Sequence, residues 1–569
     1  MLAPATSLPP QHASSLVTLF CAVAASAALG LAGCGRSASD DGSPRASTKD
    51  AAGSVFAEVT DAARIDFVHQ LANGRLDNIM KSDGAGGAVL DCDGDGWMDF
   101  YLVNSGPVPV LSEAPPGTPR LPNRLYRNRG DGTFEDIARR AGVEGHGFGT
   151  TAAAADIDND GDTDLLVVNF GGLILFRNDS TPGAPRFTDI TAAAGLVSTQ
   201  AGISATFLDA DRDGWLDLFV ANYLVFDPAI EAPPGANVPY PGPLSYEPEL
   251  NLLYRNRGDG TFEDVSERAG IRIPGHRGMS VTPLDYDDDG DQDLYVSNDG
   301  TANLLLANDG TGRFADVALE SGVAFDQFGQ AAGSMGAAVS DASGDGLPDV
   351  FVTRFGNASL YVNSGGRFFE DRVVASGILG VSSKFTGWGG NFLDHDNDGD
   401  PDLFIANGDP HYLKGMPSLL LENTGRAGFA DISARGGTFF QKSVNLRGSG
   451  TVDYDNDGRM DLVLTSLGGP AALLRNVTTG TAHWTTIKLV GTRGNRDGFG
   501  AKVTVTAGGR IQRAEARCPT SYVFQSDPRL HFGLGTVSSI DRVEIRWPSG
   551  QLQVLENPEI NQVLRIVEP

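Results

Sequence analysis

The chain has 569 residues, 41% of them hydrophobic, and carries a formal net charge of −29. That length and apolar content are ample for a large packed core. The charge excludes nucleic acid as a partner, because phosphate binding needs clustered Lys and Arg, and it leaves a solvated surface, an acidic tail or cation ligands as its explanation.

In chain order, the first element is the apolar run 16–33, LVTLFCAVAASAALGLAG, which ends at Cys34. A short apolar stretch closing on small residues reads as an export signal. Leu31-Ala32-Gly33-Cys34 resembles the lipobox of bacterial lipoproteins, which implies cleavage before Cys34 and a lipid on its sulfur. No Lys or Arg precedes the run, and eighteen apolar residues are just enough for a retained membrane span. The expectation is an exported protein, with residues 1–34 as signal, lipid-anchored through Cys34 to the cell envelope or surface. The small polar stretch 35–54 reads as a flexible linker. Cys92 and Cys518 are the two cysteines of the body; they give no disulfide framework and could pair after export.

Next comes a repeat, found seven times: DCDGDGWMD from Asp91, DIDNDGDTD from Asp156, DADRDGWLD from Asp209, DYDDDGDQD from Asp285, DASGDGLPD from Asp341, DHDNDGDPD from Asp394 and DYDNDGRMD from Asp453. A Gly-rich stretch precedes each loop, and an alternating apolar run such as DLLVVN or DLFIAN follows. After these come a segment ending in Asn, a turn such as Gly-Asp-Gly, and a Phe followed by acidic residues, at Phe56, Phe134, Phe187, Phe262, Phe314, Phe369 and Phe429. This predicts four strands per unit and, by radial repetition, a seven-bladed β-propeller over residues 55–480. Phe56 precedes every Asp loop and the last loop has no Phe unit after it, so the N-terminal strand should complete blade seven. Residues 483–569 alternate in the manner of strands and predict a small C-terminal β-sandwich-like domain, making the chain all-β.

Positions 1, 3, 5 and 9 of each loop carry oxygen ligands and position 6 is Gly. The candidate metal ligands are Asp91, Asp93, Asp95 and Asp99; Asp156, Asp158, Asp160 and Asp164; Asp209, Asp211, Asp213 and Asp217; Asp285, Asp287, Asp289 and Asp293; Asp341, Ser343, Asp345 and Asp349; Asp394, Asp396, Asp398 and Asp402; and Asp453, Asp455, Asp457 and Asp461. Hard oxygen donors at alternate positions of a tight loop suit Ca2+, at about seven sites, the fifth weakened by Ser343. Position 12 is apolar in all seven, so these are not EF-hands, which need a Glu there.

These loops resemble the FG-GAP or VCBS repeats of integrin-like propellers. Together with Gly-Asp-Gly-Thr-Phe, NYLVFDP and the tail motifs GTRGNRDGFGAKVTVTAGGR, QSDPRLHFGLG and DRVEIRWPSG, they resemble more closely the cartilage acidic protein family with its ASPIC and UnbV domain, here in a bacterial lipoprotein form. The resemblance runs from about residue 55 to 569. It implies a secreted calcium-binding propeller plus a small β-domain.

Strand alternation puts the Asp loops on one face. The other face takes the long Pro-rich insertions 105–122 and 224–250, and also Lys81, His146, His276, Arg277, Lys384, Lys442 and Arg447. His146, His276, Arg277, Lys384 and Arg447 are the candidate ligand residues, as a cationic centre for an anionic glycan or a protein partner. The function expected is recognition or adhesion without catalysis, since the eight His are dispersed and fit no nucleophile or zinc motif. The alternatives are a lyase or esterase on a propeller scaffold and a structural subunit of an envelope complex.

Overall fold

The computed structural model describes residues 53–111, 121–181 and 183–569, and these form one compact unit. The expected signal with Cys34, and all of the linker up to residue 52, lie outside the described residues. Among those described, no helix is long and apolar enough to cross a membrane.

Seven sheets repeat one design of four antiparallel strands, and one of them carries a fifth strand. Blade two, for example, runs through Gly149–Ala155, Asp164–Asn169, Gly172–Asn178 and Phe187–Asp189. Burial explains the composition of each strand. The inner strand GTTAAAA is small because neighbouring blades crowd it, and DLLVVN is buried along its whole length. The outer strand FTD buries only its Phe, and burying such a ring contributes roughly 1.5–3 kcal/mol. Inner strands meet in cyclic order from Gly87–Leu90 through Gly149–Ala155, Gly202–Leu208, Gly278–Leu284, Ser334–Ser340 and Gly387–Leu393 to Leu446–Val452, which packs back on the first. Seven blades thus close a ring. Phe56–Glu58 pairs with Ala472–Asn476, Phe56 opposite Asn476, and supplies the outer strand of blade seven as expected.

The tail forms two sheets around one core. Leu530–Gly535, His483–Val490 and Val563–Val567 make the first; Arg510–Glu515, Lys502–Ala507, Arg542–Arg546 and Leu552–Glu556 make the second. Ile487, Phe532, Val505 and Ile545 meet between them.

One segment of the tail leaves that sandwich and enters the ring. Phe524–Gln525 adds a parallel strand to the inner strand of blade one, with Gly87 opposite Phe524. Around it, Thr151 Oγ1 donates to Val523 O (2.7 Å), Gln525 Nε2 to Ala154 O (3.0 Å), Ser521 Oγ to Gly390 O (2.8 Å), and Thr451 N to Ser526 Oγ (3.1 Å). Blades one, two, six and seven all hold this plug. It also gives the Gly-rich inner strands a reason. A Cβ at Gly86 would stand 2.3 Å from Val523 O, and one at Gly450 would stand 2.7 Å from the Phe524 ring.

Candidate metal centres and the two faces of the ring

Each Asp loop is built by its own side chains. The position-1 carboxylate accepts the position-6 Gly N–H through Oδ2 at 2.7–3.1 Å in all seven, from Gly96 to Asp91 through Gly458 to Asp453. That Gly has φ between 81° and 101° in every loop, a region closed to most L side chains. Position 4 is left-handed as well, as Gly94, Asn159, Arg212, Asp288, Gly344, Asn397 and Asn456.

Position 9 is a staple. Its Oδ1 accepts the N–H of the Asn ending the third strand, at 2.6–2.9 Å, in every blade: Asn128, Asn178, Asn256, Asn308, Asn363, Asn423 and Asn476. Its Oδ2 accepts the N–H of position 2 in six loops. In the fifth loop the donor is Ser343 instead, one residue later, so this loop differs in geometry as well as in ligand.

Position 3 indicates what the cup can hold. Asp93 Oδ1, Asp158 Oδ1, Asp211 Oδ1, Asp287 Oδ1, Ser343 Oγ and Asp455 Oδ1 are buried without a hydrogen-bond partner. A buried polar oxygen is costly to leave unpaired, and here the position-3 oxygen is left so in six of seven loops, as a carboxylate in five and as the Ser343 hydroxyl in one. Burial also pushes position 9 upward: Asp99 to about 8, Asp293 to about 9, Asp349 to about 7, with Asp164, Asp217 and Asp461 well above the carboxylate range. A cation among these oxygens would relieve both penalties. In the first, second and third loops three carboxylates converge closely enough to share one ion, and in the sixth the converging groups are the His395 imidazole, Asp396 and Asp402. Apart from that imidazole the donors are hard oxygens, so the residues fit a hard divalent cation. Arg127, Arg255 and Arg475, each one residue before the stapling Asn, pair with the outward side of the loop at Asp95, Asp211 and Asp455 and leave the inner oxygens free.

The tail domain covers this metal-loop face. Lys488 Nζ lies 3.3 Å from Asp91 Oδ2, Asp156 N donates to Asp497 Oδ2 (2.8 Å), Lys502 pairs with Asp285, and Arg529 donates to Asp453 O (2.9 Å).

On the opposite face the candidate ligand residues are not gathered into a cationic centre. Arg447 is fully buried; its guanidinium sits 3.8 Å from the Trp388 ring and donates to Ser82 O, Asn445 Oδ1, Leu446 O and Asp409 O. Arg277 is buried too and donates to Tyr246 O (2.6 Å). Lys81 is buried against Asp77, and Lys442 pairs with Glu58. His276 is half-buried with Nδ1 on Ala302 O (3.0 Å), while His146 and Lys384 are exposed. A closed ring needs packed, satisfied groups at its centre, so charges placed there by sequence position serve as structure. Cys92 and Cys518 are both buried free thiols, in separate cores.

The stapling Asn also donates through Nδ2 to the loop of the preceding blade, as Asn178 does to Cys92 O (3.0 Å), and this Asn relay and the plug are what a reading of the loops alone misses. The relay had a signal, the Asn that ends each third strand. The plug had none in strand periodicity.

Two family profiles match the chain: an FG-GAP-like repeat over residues 91–167, 156–220, 244–296, 285–352 and 341–405, and ASPIC and UnbV over 491–569. The chain belongs to the FG-GAP-like repeat family and ends in an ASPIC and UnbV domain. This FG-GAP protein is 27% identical over 527 residues to cartilage acidic protein 1 of Mus musculus, covering 85% of this chain and 74% of the relative. It is 24% identical over 520 residues to the same-named protein of Xenopus tropicalis, covering 85% and 73%. A solved Agrocybe aegerita lectin, described as recognising non-reducing terminal N-acetylglucosamine, aligns at 18% identity with a TM-score of 0.39, covering 67% of this chain and 85% of that one.

Proposed function

We propose that this FG-GAP protein is an exported recognition module whose ring is stiffened by up to seven calcium ions and whose opposite face meets a glycan or protein ligand. The observation that carries the calcium reading is the position-3 oxygen, buried and unpartnered in six loops. Calcium suits these cups better than magnesium, since it accepts several protein oxygens in flexible geometry. When bound, the ion supplies charge compensation; the residues supply the cup, and the stapling Asn carries its rigidity to the preceding blade.

The covered metal-loop face supports the choice of ligand side. With the ASPIC and UnbV domain seated there, the open face is the one bearing the insertions. Residues 223–251 fold back over it, with Tyr240 and Tyr246 buried. Phe56 leaves its strand beside Asn476, on the metal side, so a lipid at Cys34 would tether that side and turn the insertions outward. The Leu31-Ala32-Gly33-Cys34 motif supports that anchor. Catalysis is not part of this reading.

Pull-down from native envelope or matrix material, with and without chelator, tests it. Calcium-dependent capture of a defined glycan or protein is expected. Capture unaffected by chelation, with no bound calcium under millimolar supply, would overturn the calcium part. Turnover on a polysaccharide panel, lost on substituting His146 or His276, would replace recognition with catalysis.

A further inference from the structure

We propose that the centre of the face opposite the metal loops holds a binding pocket for an alkylammonium group. This deepens the recognition reading and rests on it for the side of the ring that meets ligand.

A cavity of about 220 Å³ opens there, lined by Asp83 and Asp299 together with Tyr223, Tyr240, Phe355 and Trp388. That is below the roughly 300–1,000 Å³ of pockets for drug-sized ligands, so a small head group fits and an oligosaccharide does not.

The hydrogen-bond inventory then selects the chemistry. Every phenol and indole donor at the site is engaged within the protein. Tyr522 Oη donates to Asp83 Oδ1 (2.8 Å), Tyr223 Oη to Asp299 Oδ2 (2.6 Å), Trp388 Nε1 to Gly408 O (2.9 Å), and Tyr240 Oη to Pro410 O. Asp83 is 1% exposed, lines the cavity, and keeps Oδ2 without a partner. Among the described residues neither Asp83 nor Asp299 enters an ion pair, although Arg447 and Arg277 are near, because both guanidinium groups donate to main-chain carbonyls instead. Apart from the single imidazole of His411, what remains for a ligand is acceptor oxygen and aromatic surface. A sugar hydroxyl needs donors as well as acceptors, and a hard dication needs six to eight oxygens. An alkylammonium group needs one carboxylate and aromatic faces, which is the set present.

The test is isothermal titration of the full mature, calcium-loaded chain with choline and with its neutral isostere 3,3-dimethylbutan-1-ol. Choline should bind one-to-one and the isostere about tenfold or more weakly, the difference being the charge. Asp83→Asn, which keeps an acceptor for Tyr522, should weaken choline by about tenfold. Phe355→Ala, on the exposed rim, should weaken it several-fold without touching the fold. A trimethyl-lysine peptide that competes with choline identifies a side-chain source, and one that fails to compete identifies a free head group; both outcomes support the pocket. Equal binding of choline and isostere, or no saturable choline binding below about 50 mM, overturns it. If pull-down finds a ligand while choline does not bind, the pocket falls and the recognition reading stands. If choline binds and no ligand is captured, the pocket stands and recognition of a macromolecule falls.

Discussion

Asn128 Nδ2 donates to the main-chain carbonyl of Tyr454, 2.8 Å away, and so ties the metal loop of blade seven to the third strand of blade one. The same bond recurs around the ring: Asn178 to Cys92 O, Asn256 to Ile157 O, Asn308 to Ala210 O, Asn363 to Tyr286 O, Asn423 to Ala342 O and Asn476 to His395 O. Each acceptor is position 2 of a loop, between two candidate ligands. Each Asn N–H meanwhile holds its own blade's position-9 carboxylate. The cups are therefore coupled in a circle.

Replacing Asn128 with Ala should destabilise the ring by about 2–3 kcal/mol, because the buried carbonyls of Tyr454 and Met98 lose their donor. Asn256→Ala, acting on Ile157 and Leu216, should cost a similar amount. Denaturant unfolding in saturating calcium measures both. Loss confined to local exchange, with no change in the global midpoint, would show that the relay does not carry closure.

Chelation should lower the melting temperature of the whole ring in one transition, since each site at a hundredfold excess of ion over Kd contributes about 2.7 kcal/mol. Ser343→Asp gives the fifth loop its missing carboxylate. It should tighten that site and raise stability with calcium, but lower stability without it, because another buried charge is then unpaired. Calorimetric titration and paired melts in calcium and in chelator would show the opposite signs.

His69 gives a pH dependence with a definite direction. Its Nδ1 accepts from Gly468 N (3.1 Å), so Nε2 carries the proton and donates to Ser105 Oγ (2.9 Å), linking blade seven to blade one. Burial, aided by the charge of Arg447, holds its pKa down at about 3. The unfolded chain takes up a proton below about pH 6.5 and the folded chain does not, so the stability contributed is full above 6.5 and lost as pH falls toward 3. Between pH 6.5 and 5 wild type should lose about 1.6 kcal/mol more than His69→Gln, the slope rising to about 1.4 kcal/mol per unit. A difference independent of pH would mean that His69 is not held neutral.

Much of this architecture was legible because its physics is local. Gly at position 6 follows from a positive φ, and the Asp spacing from the cup; the lone Phe of each outer strand follows from one-sided burial. The displaced Phe56 strand was legible from motif order alone. Arg447 was not, because its role depends on carbonyls from residues 82 and 409 that converge on it only when the ring closes. The plug was hidden for the same reason: Thr520, Ser521 and Gln525 look like loop residues, and their partners lie more than a hundred residues away.

Gly86 offers the sharpest test of that plug. Gly86→Ala would place a methyl group 2.3 Å from both Thr150 O and Val523 O, two main-chain atoms that cannot rotate aside. Overpacking of this kind costs typically about 1–3 kcal/mol, and here it should also push residues 520–526 out of register, since Val523 is fully buried. The matched control is Gly380→Ala, in the short helix Ile378–Ser382, where nothing lies within 4 Å of the new atom. That change should be neutral or stabilising by up to about 1 kcal/mol from helix propensity. Hydrogen exchange read at residues 520–527 separates the cases. Faster exchange there in Gly86→Ala, with the Gly380→Ala pattern unchanged, is the expected result. Equal melting and exchange in both variants would mean that the inner glycines serve neighbouring blades and not the inserted segment.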